Sequence, residues 1–344
     1  MDRELAALTH INAVIAASPR VKHVGIANVR TLLDQVTVGD AKRRRGNLCL
    51  VYKPLAMSLG DMRKANFGGR LPIDVVKGVV FYVLRGLDFL HSTANLVHAD
   101  LQEDNILLSL QDETELKEVE DEEMHDPSPR KEYKDHVIYA SRLPELSGRM
   151  PVICDFGEAR FGQESYGEHA LPDLYRAPEI LLRIEWDEKL DIWTLGLVIW
   201  TMVEGTNLFT DNRGGRWKSA LPHMARMISL LGPPPQDLLD TTPVTKAYFE
   251  RDGRPFYLPP FESHKEKSVA DLLDAAGRLK KGHVVAVTSL ETEMTALDGP
   301  EKAEFLRFLR RLLQWDPDDR PSARELMKDP WLTPPKDAEG EPCG

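Results

Sequence analysis

Residues 96–108 read LVHADLQEDNILL, with His98 two places before Asp100 and Asn105 five places after it. A further acid, Asp155, ends the apolar run MPVICD and is followed by Phe156 and Gly157. Phosphoryl transfer asks a protein for alignment and charge neutralisation rather than covalent work, and carboxylate and amide oxygens suit the hard Mg²⁺ ion. These residue types admit three readings. The stretch is a phosphoryl-transfer loop, the remains of one, or a charged turn in which Asp100 and Asn105 cap the backbone between two core segments.

Any such loop must be held by the elements around it. Leu5, Leu8, Ile11 and Ile15 fall at helical spacing within 4–16, and Ser18-Pro19-Arg20 stops that helix. The β-branched and apolar runs at 28–38 and 47–55 predict a hairpin, with the basic segment around Lys42 at its tip. Pro72 opens a long buried helix over 72–92. Residues 111–136 are dense in acids and turn formers without a hydrophobic period, which predicts a partly disordered surface insertion. Within it, Ser128-Pro129 reads as an exposed turn. A short strand lies in 150–160, a helix that is apolar nearly all round in 187–205, and an amphipathic helix in 301–317. The tail from 334 predicts fraying.

The 344 residues are 42% hydrophobic and 29% charged, enough for a sizeable core. A formal net charge of −11 argues against nucleic-acid binding and suits a basic polypeptide. Cys49, Cys154 and Cys343 are odd in number and far apart, so neither a disulfide framework nor a zinc site is expected. The N-terminus lacks a signal-peptide pattern, and the longest apolar stretch, 193–203, is too short to span a bilayer. These features predict an intracellular protein of cytoplasm or nucleus.

The order of later motifs decides among the readings of the loop. Asp155-Phe156-Gly157 ends a strand, Ala177-Pro178-Glu179 follows, Asp191 and Gly196 stand in DIWTLG, and Arg320 stands in DPDDRPSARELMKDPWL. This ordered set resembles the large lobe of the eukaryotic protein kinases. The resemblance is closest to fungal SR protein kinase-like enzymes, whose catalytic loop, insertion before PVICDFGEA and segment HMARMISLLGPPP look alike. It implies an α+β, protein kinase-like fold: a mainly helical C-lobe and an incomplete N-lobe made of the helix αC and the family's fourth and fifth strands. The corresponding division is 1–55 for the truncated N-lobe and hinge, 56–335 for the C-lobe with its acidic insertion at 111–136, and 336–344 for a disordered tail.

The same resemblance implies ATP and Mg²⁺ as cofactors, a monomer, and a protein substrate, Arg/Ser-rich by analogy, phosphorylated on Ser or Thr. Asp100 would orient the substrate hydroxyl and accept its proton. Asn105 and Asp155 would hold metal, and Gln102 would sit beside the transferred phosphate. Lys53, Leu55 and Leu107 would meet the nucleotide, with Tyr52 in the gatekeeper position. His98 and Phe156 would stack, Asp191 would bind the loop backbone, and Glu179 would pair with Arg320.

Several positions depart from the family pattern. Neither a glycine-rich loop nor the usual strand lysine precedes the first helix, in which Glu4 occupies the place of the αC acid. Gln102 stands for a lysine, Pro172 for the threonine that bridges that lysine to the catalytic acid, and Ala99 for the arginine that reads activation-loop phosphate. The paired loss at 102 and 172 suggests a coupled change, and Ala99 predicts no phosphate switch in 158–176. A pseudokinase acting as a binding module is therefore an alternative. A small-molecule phosphotransferase of the aminoglycoside type shares the loop but lacks the motifs at 177–179, 191 and 320. There is no HExxH, GxxxxGK[ST] or GxSxG motif.

Overall fold

Leu8 and Ile11 are both buried, and they share one face because residues 2–17 form a single helix, α1 (Asp2–Ala17). The computed structural model describes residues 2–17, 23–40, 45–110, 112, 114–140, 142, 150–162, 171–209, 220–232, 234–241 and 288–332. After α1 a 3₁₀ turn, Val24–Asn28, lies against the long helix α3 that comes later in the chain. That approach is close: a Cβ at Gly86 would come 3.0 Å from the Asn28 carbonyl oxygen.

The predicted hairpin is β1 (Leu32–Asp40) and β2 (Arg45–Tyr52), antiparallel from Leu32↔Tyr52 to Asp40↔Arg45. It starts four residues later than expected, because the 3₁₀ turn takes residues 24–28. Most of its expected basic tip, residues 41–44, lies outside the described residues. Then come β3 (Leu55–Ser58), α2 (Leu59–Asn66) and α3 (Ile73–Phe89). The Ser58 hydroxyl accepts the Asp61 N–H at 3.1 Å and caps α2. Val76, Val80, Val83, Leu84 and Leu87 bury the core face of α3. A π turn, Leu90–Ala94, ends in Asn95 with φ 51, a left-handed conformation that asparagine tolerates. The chain continues through β4 (Leu96–Val97), a 3₁₀ turn at Glu103–Asn105 and β5 (Ile106–Ser109).

The insertion is more structured than its composition predicts. It holds a helix, α4 (Thr114–His125), and a small hairpin of β6 (Arg130–Glu132) and β7 (Val137–Tyr139). Its helix-forming residues need little burial, and none of them is buried. Asp112 accepts the Thr114 N–H at 2.7 Å, and Arg142 pairs with Glu122 and Glu123 at 3.3 Å each. Ser128 is buried rather than exposed, since Glu123 accepts both its N–H and its hydroxyl.

Past the insertion lie β8 (Pro151–Ile153), β9 (Arg160–Phe161), α5 (Pro178–Leu182) and α6 (Lys189–Glu204). Strands β3, β5 and β8 form one antiparallel sheet in that order, and β4 pairs with β9. Every residue of α6 from Leu190 to Glu204 is buried, as its continuous apolar sequence predicts. The amphipathic helix Gly299–Leu312 packs on it, with Leu312 close to Gly196, while Phe305 and Phe308 meet the Trp331 ring; the helix ends before the predicted 317. Among the described residues no helix is long and apolar enough to cross a membrane. The tail from 334 lies outside them.

Candidate active site

The stretch 96–108 leaves the core as β4, turns through Ala99 with φ 61, and re-enters as β5. Asp191, at the start of α6, fixes that turn. Its carboxylate accepts the N–H of His98 at 2.8 Å, the N–H of Ala99 at 2.9 Å and the His91 ring nitrogen at 2.8 Å. Burial pushes the Asp191 carboxyl up, but the bonds from His91 and His98 outweigh it and hold the group below its ordinary value. The other end of the turn is tied down by Arg63 of α2, which meets the Glu103 carboxylate through two nitrogens at 2.8 Å each.

His98 joins the loop to the segment that carries Asp155. Its Nε2 lies 2.9 Å from the Cys154 carbonyl oxygen, so the ring proton sits there, and Nδ1 accepts the Asp100 N–H at 3.3 Å. The ring packs edge-on against Phe156, with centroids 5.3 Å apart. The sequence anticipated this stack.

Asp100 is half-buried at the centre. Asn105 donates through Nδ2 to the Asp100 carbonyl at 2.8 Å and to its carboxylate at 3.0 Å, and Gln102 donates to the same carboxylate oxygen at 3.2 Å. Burial raises the Asp100 carboxyl above its ordinary value; His98 and Asn105 pull it back, while Asp155 and Glu158 push it further up. Its carboxylate can hold and accept a proton from a hydroxyl placed before it.

Asn105 and Asp155 line a single cavity of about 360 Å³ together with Leu107, Glu4, Arg30 and Tyr52. Asp155 adopts φ 62 and its Oδ1 accepts the Gly157 N–H at 3.1 Å, leaving an exposed carboxylate at the cavity. Because Nδ2 of Asn105 is spent on Asp100, its Oδ1 is the atom left for a cation. One amide oxygen and one carboxylate fit Mg²⁺, which keeps most of its waters and takes few protein ligands. Among the described residues no group of three or more His, Cys, Asp or Glu side chains is arranged to hold a metal.

The remaining expected residues fall as follows. Lys53 is exposed on the link between β2 and β3, and Leu55 starts β3 opposite Ser109; neither lines the cavity. Pro172 opens a 3₁₀ turn and its carbonyl accepts the Tyr175 N–H at 2.9 Å. Pro172 offers no side-chain donor or acceptor, and the Gln102 amide bonds Asp100. Of the acceptors for a phosphate switch, Ser165 and Tyr166 lie outside the described residues, and burial raises the Tyr175 phenol above its ordinary value. Glu179 and Arg320 are both fully buried and joined by two bonds of 2.7 Å.

Two features were missed by the sequence reading. One is the bond from the Tyr52 hydroxyl to Glu4 at 2.8 Å, which gives the α1 acid an aromatic partner. Burial and Glu4 together keep that phenol protonated. The other is Arg30, whose only sequence signal is a charge inside the apolar run NVRTLL.

Residues 23–332 match the family model described as protein kinase domain. The chain belongs to the protein kinase family. A serine/threonine protein kinase of Aspergillus fumigatus is 34% identical over 338 residues, which cover 96% of this chain and 75% of that one. The serine/threonine-protein kinase SRPK of Physarum polycephalum is 24% identical over 83% of this chain and 67% of its own. Dual specificity tyrosine-phosphorylation-regulated kinase 3 of Mus musculus is 26% identical over 90% of this chain and 44% of its own. The α+β, protein kinase-like fold and the serine/threonine kinase class expected from the motifs are thereby established, with ATP, Mg²⁺ and protein substrates the general rule for the family. The kinase domain match also excludes the aminoglycoside-type alternative.

Proposed function

We propose that this kinase uses Asp100, Asn105 and Asp155 to transfer the γ-phosphoryl group of ATP to a serine or threonine hydroxyl. The observation that carries this reading is the Asn105 side chain, which bonds Asp100 on one side and lines the cavity of Asp155 on the other. Asp100 orients the hydroxyl and takes its proton. Mg²⁺, when bound, would supply charge neutralisation to the phosphates. Asn105 and Asp155 would hold that ion, Leu107 contributes an apolar wall for the base, and Gln102 keeps the Asp100 carboxylate in place. Lys53 and Leu55, which stand outside the cavity lining, are assigned through the resemblance alone to the hinge beside it.

The favoured substrate is an Arg/Ser-rich protein, supported by the net charge of −11 and the likeness to the Physarum SRPK. Incubation of the 344-residue chain with ATP–Mg²⁺ and an Arg/Ser-rich peptide tests both points. Serine phosphorylation of that peptide in preference to an acidic one is expected; preference for the acidic peptide would overturn the substrate reading.

A pseudokinase reading draws on one observation: among the described residues no lysine lines the cavity, and Glu4 bonds Tyr52 instead. Measurable turnover in the same assay removes it.

A further inference from the structure

Among the described residues, the cavity beside Asp155 carries three acidic side chains, Glu4, Asp104 and Asp155, and a single basic one, Arg30. Those carboxylates repel a nucleotide triphosphate unless cations offset them, and this guanidinium is the one protein cation that the described lining offers. Its position is well defined. The Arg30 N–H donates to the Ile153 carbonyl at 2.9 Å, and Val29 bridges the same Ile153, so the backbone is fastened two residues before Asp155. The guanidinium lies over the Tyr52 ring at 4.2 Å from its centroid, and Tyr52 is itself held by Glu4.

The Arg30 side chain hydrogen-bonds the Cys154 thiol but is not fully satisfied. Its Nε is buried without a hydrogen-bond partner. Buried donors are seldom left unpaired in folded proteins, and this one belongs to a guanidinium whose residue lines the cavity. A guanidinium is planar, permanently charged and shaped to meet phosphate oxygens through two N–H groups.

We propose that Arg30 is a nucleotide-binding residue, its guanidinium being the protein cation that meets the phosphate oxygens of the nucleotide in this cavity. The proposal rests on the ATP reading given above. It places the contact on the segment after α1, an element other than the strand that carries the family's usual lysine.

The test is calorimetric titration of the full chain with ATP–Mg²⁺ and, separately, with adenosine, which lacks phosphates. Arg30→Gln should weaken ATP–Mg²⁺ by about tenfold or more, as expected for a lost charge-assisted contact, and leave adenosine within about twofold. Arg30→Lys, which keeps the charge but not the fork, should fall between the two. Arg30→Met retains an apolar stem over Tyr52 and should repeat the Arg30→Gln pattern, which separates lost charge from lost packing. Equal losses for ATP–Mg²⁺ and adenosine would assign Arg30 to packing alone, and no loss for either would also overturn the proposal. Failure of the unsubstituted chain to bind both ligands would instead overturn the nucleotide reading on which it rests.

Discussion

Asn105 donates from one nitrogen to both the carbonyl and the carboxylate of Asp100, at 2.8 and 3.0 Å. The amide group is thereby oriented: its nitrogen faces the candidate base and its oxygen is left for the cavity shared with Asp155. A single side chain thus sets the distance between the proton-accepting group and the proposed metal position. Asn105→Ala should lower kcat by about hundredfold or more while adenosine binding holds, measured by steady-state kinetics and titration. A wild-type kcat in that variant would refute the coupling.

Asp191 holds three donors, and removing it strands them in a buried place. Each buried donor left unsatisfied costs about 1–3 kcal/mol. Asp191→Ala should lower the urea midpoint markedly and abolish turnover. Asp191→Asn keeps one acceptor oxygen and should retain more of both. Equal effects of the two substitutions would speak against hydrogen bonding as the cause.

Glu179 and Arg320 form a fully buried pair, with further bonds from Arg320 to the carbonyls of Gln314 at 3.1 Å and Lys189 at 3.0 Å. Glu179→Ala leaves the guanidinium without its counter-charge and should destabilise the fold by about 3–5 kcal/mol. Replacing both members by apolar residues of similar size should cost less than the single change. Chemical denaturation of the three variants checks this.

The pH profile follows from Asp100. Its carboxyl is raised above the ordinary value by burial, so the anion of the proposed base is lost at a higher pH than for a solvated aspartate. Activity should therefore fall on the acid side through that raised value. Gln102→Lys would set an ammonium beside the carboxylate, favour its charged form and move the acid limb to lower pH. An unmoved limb would show that another group governs it.

Much of this fold was legible because its signals are local. The apolar run at 187–205 could only be a buried helix, and Leu5, Leu8, Ile11 and Ile15 repeat at helical spacing. The ordered motifs identified the lobe and paired Glu179 with Arg320, 141 positions apart. Local composition misled in the insertion, where acids suggested disorder but helix propensity, the Asp112 cap and Arg142 ion pairs give α4 and a hairpin. Arg30 and the bond between Tyr52 and Glu4 were invisible for another reason. They depend on three segments meeting in space, and neither periodicity nor spacing records such a meeting.

The most direct test compares the unsubstituted chain with Asp100→Asn in phosphoryl transfer from ATP–Mg²⁺ to an Arg/Ser-rich peptide, with nucleotide affinity measured alongside. With Asp100 as the base, the unsubstituted chain phosphorylates the peptide, and Asp100→Asn loses at least about hundredfold in kcat at similar nucleotide affinity. Equal rates in the two chains, or nucleotide binding without transfer in either, would contradict it.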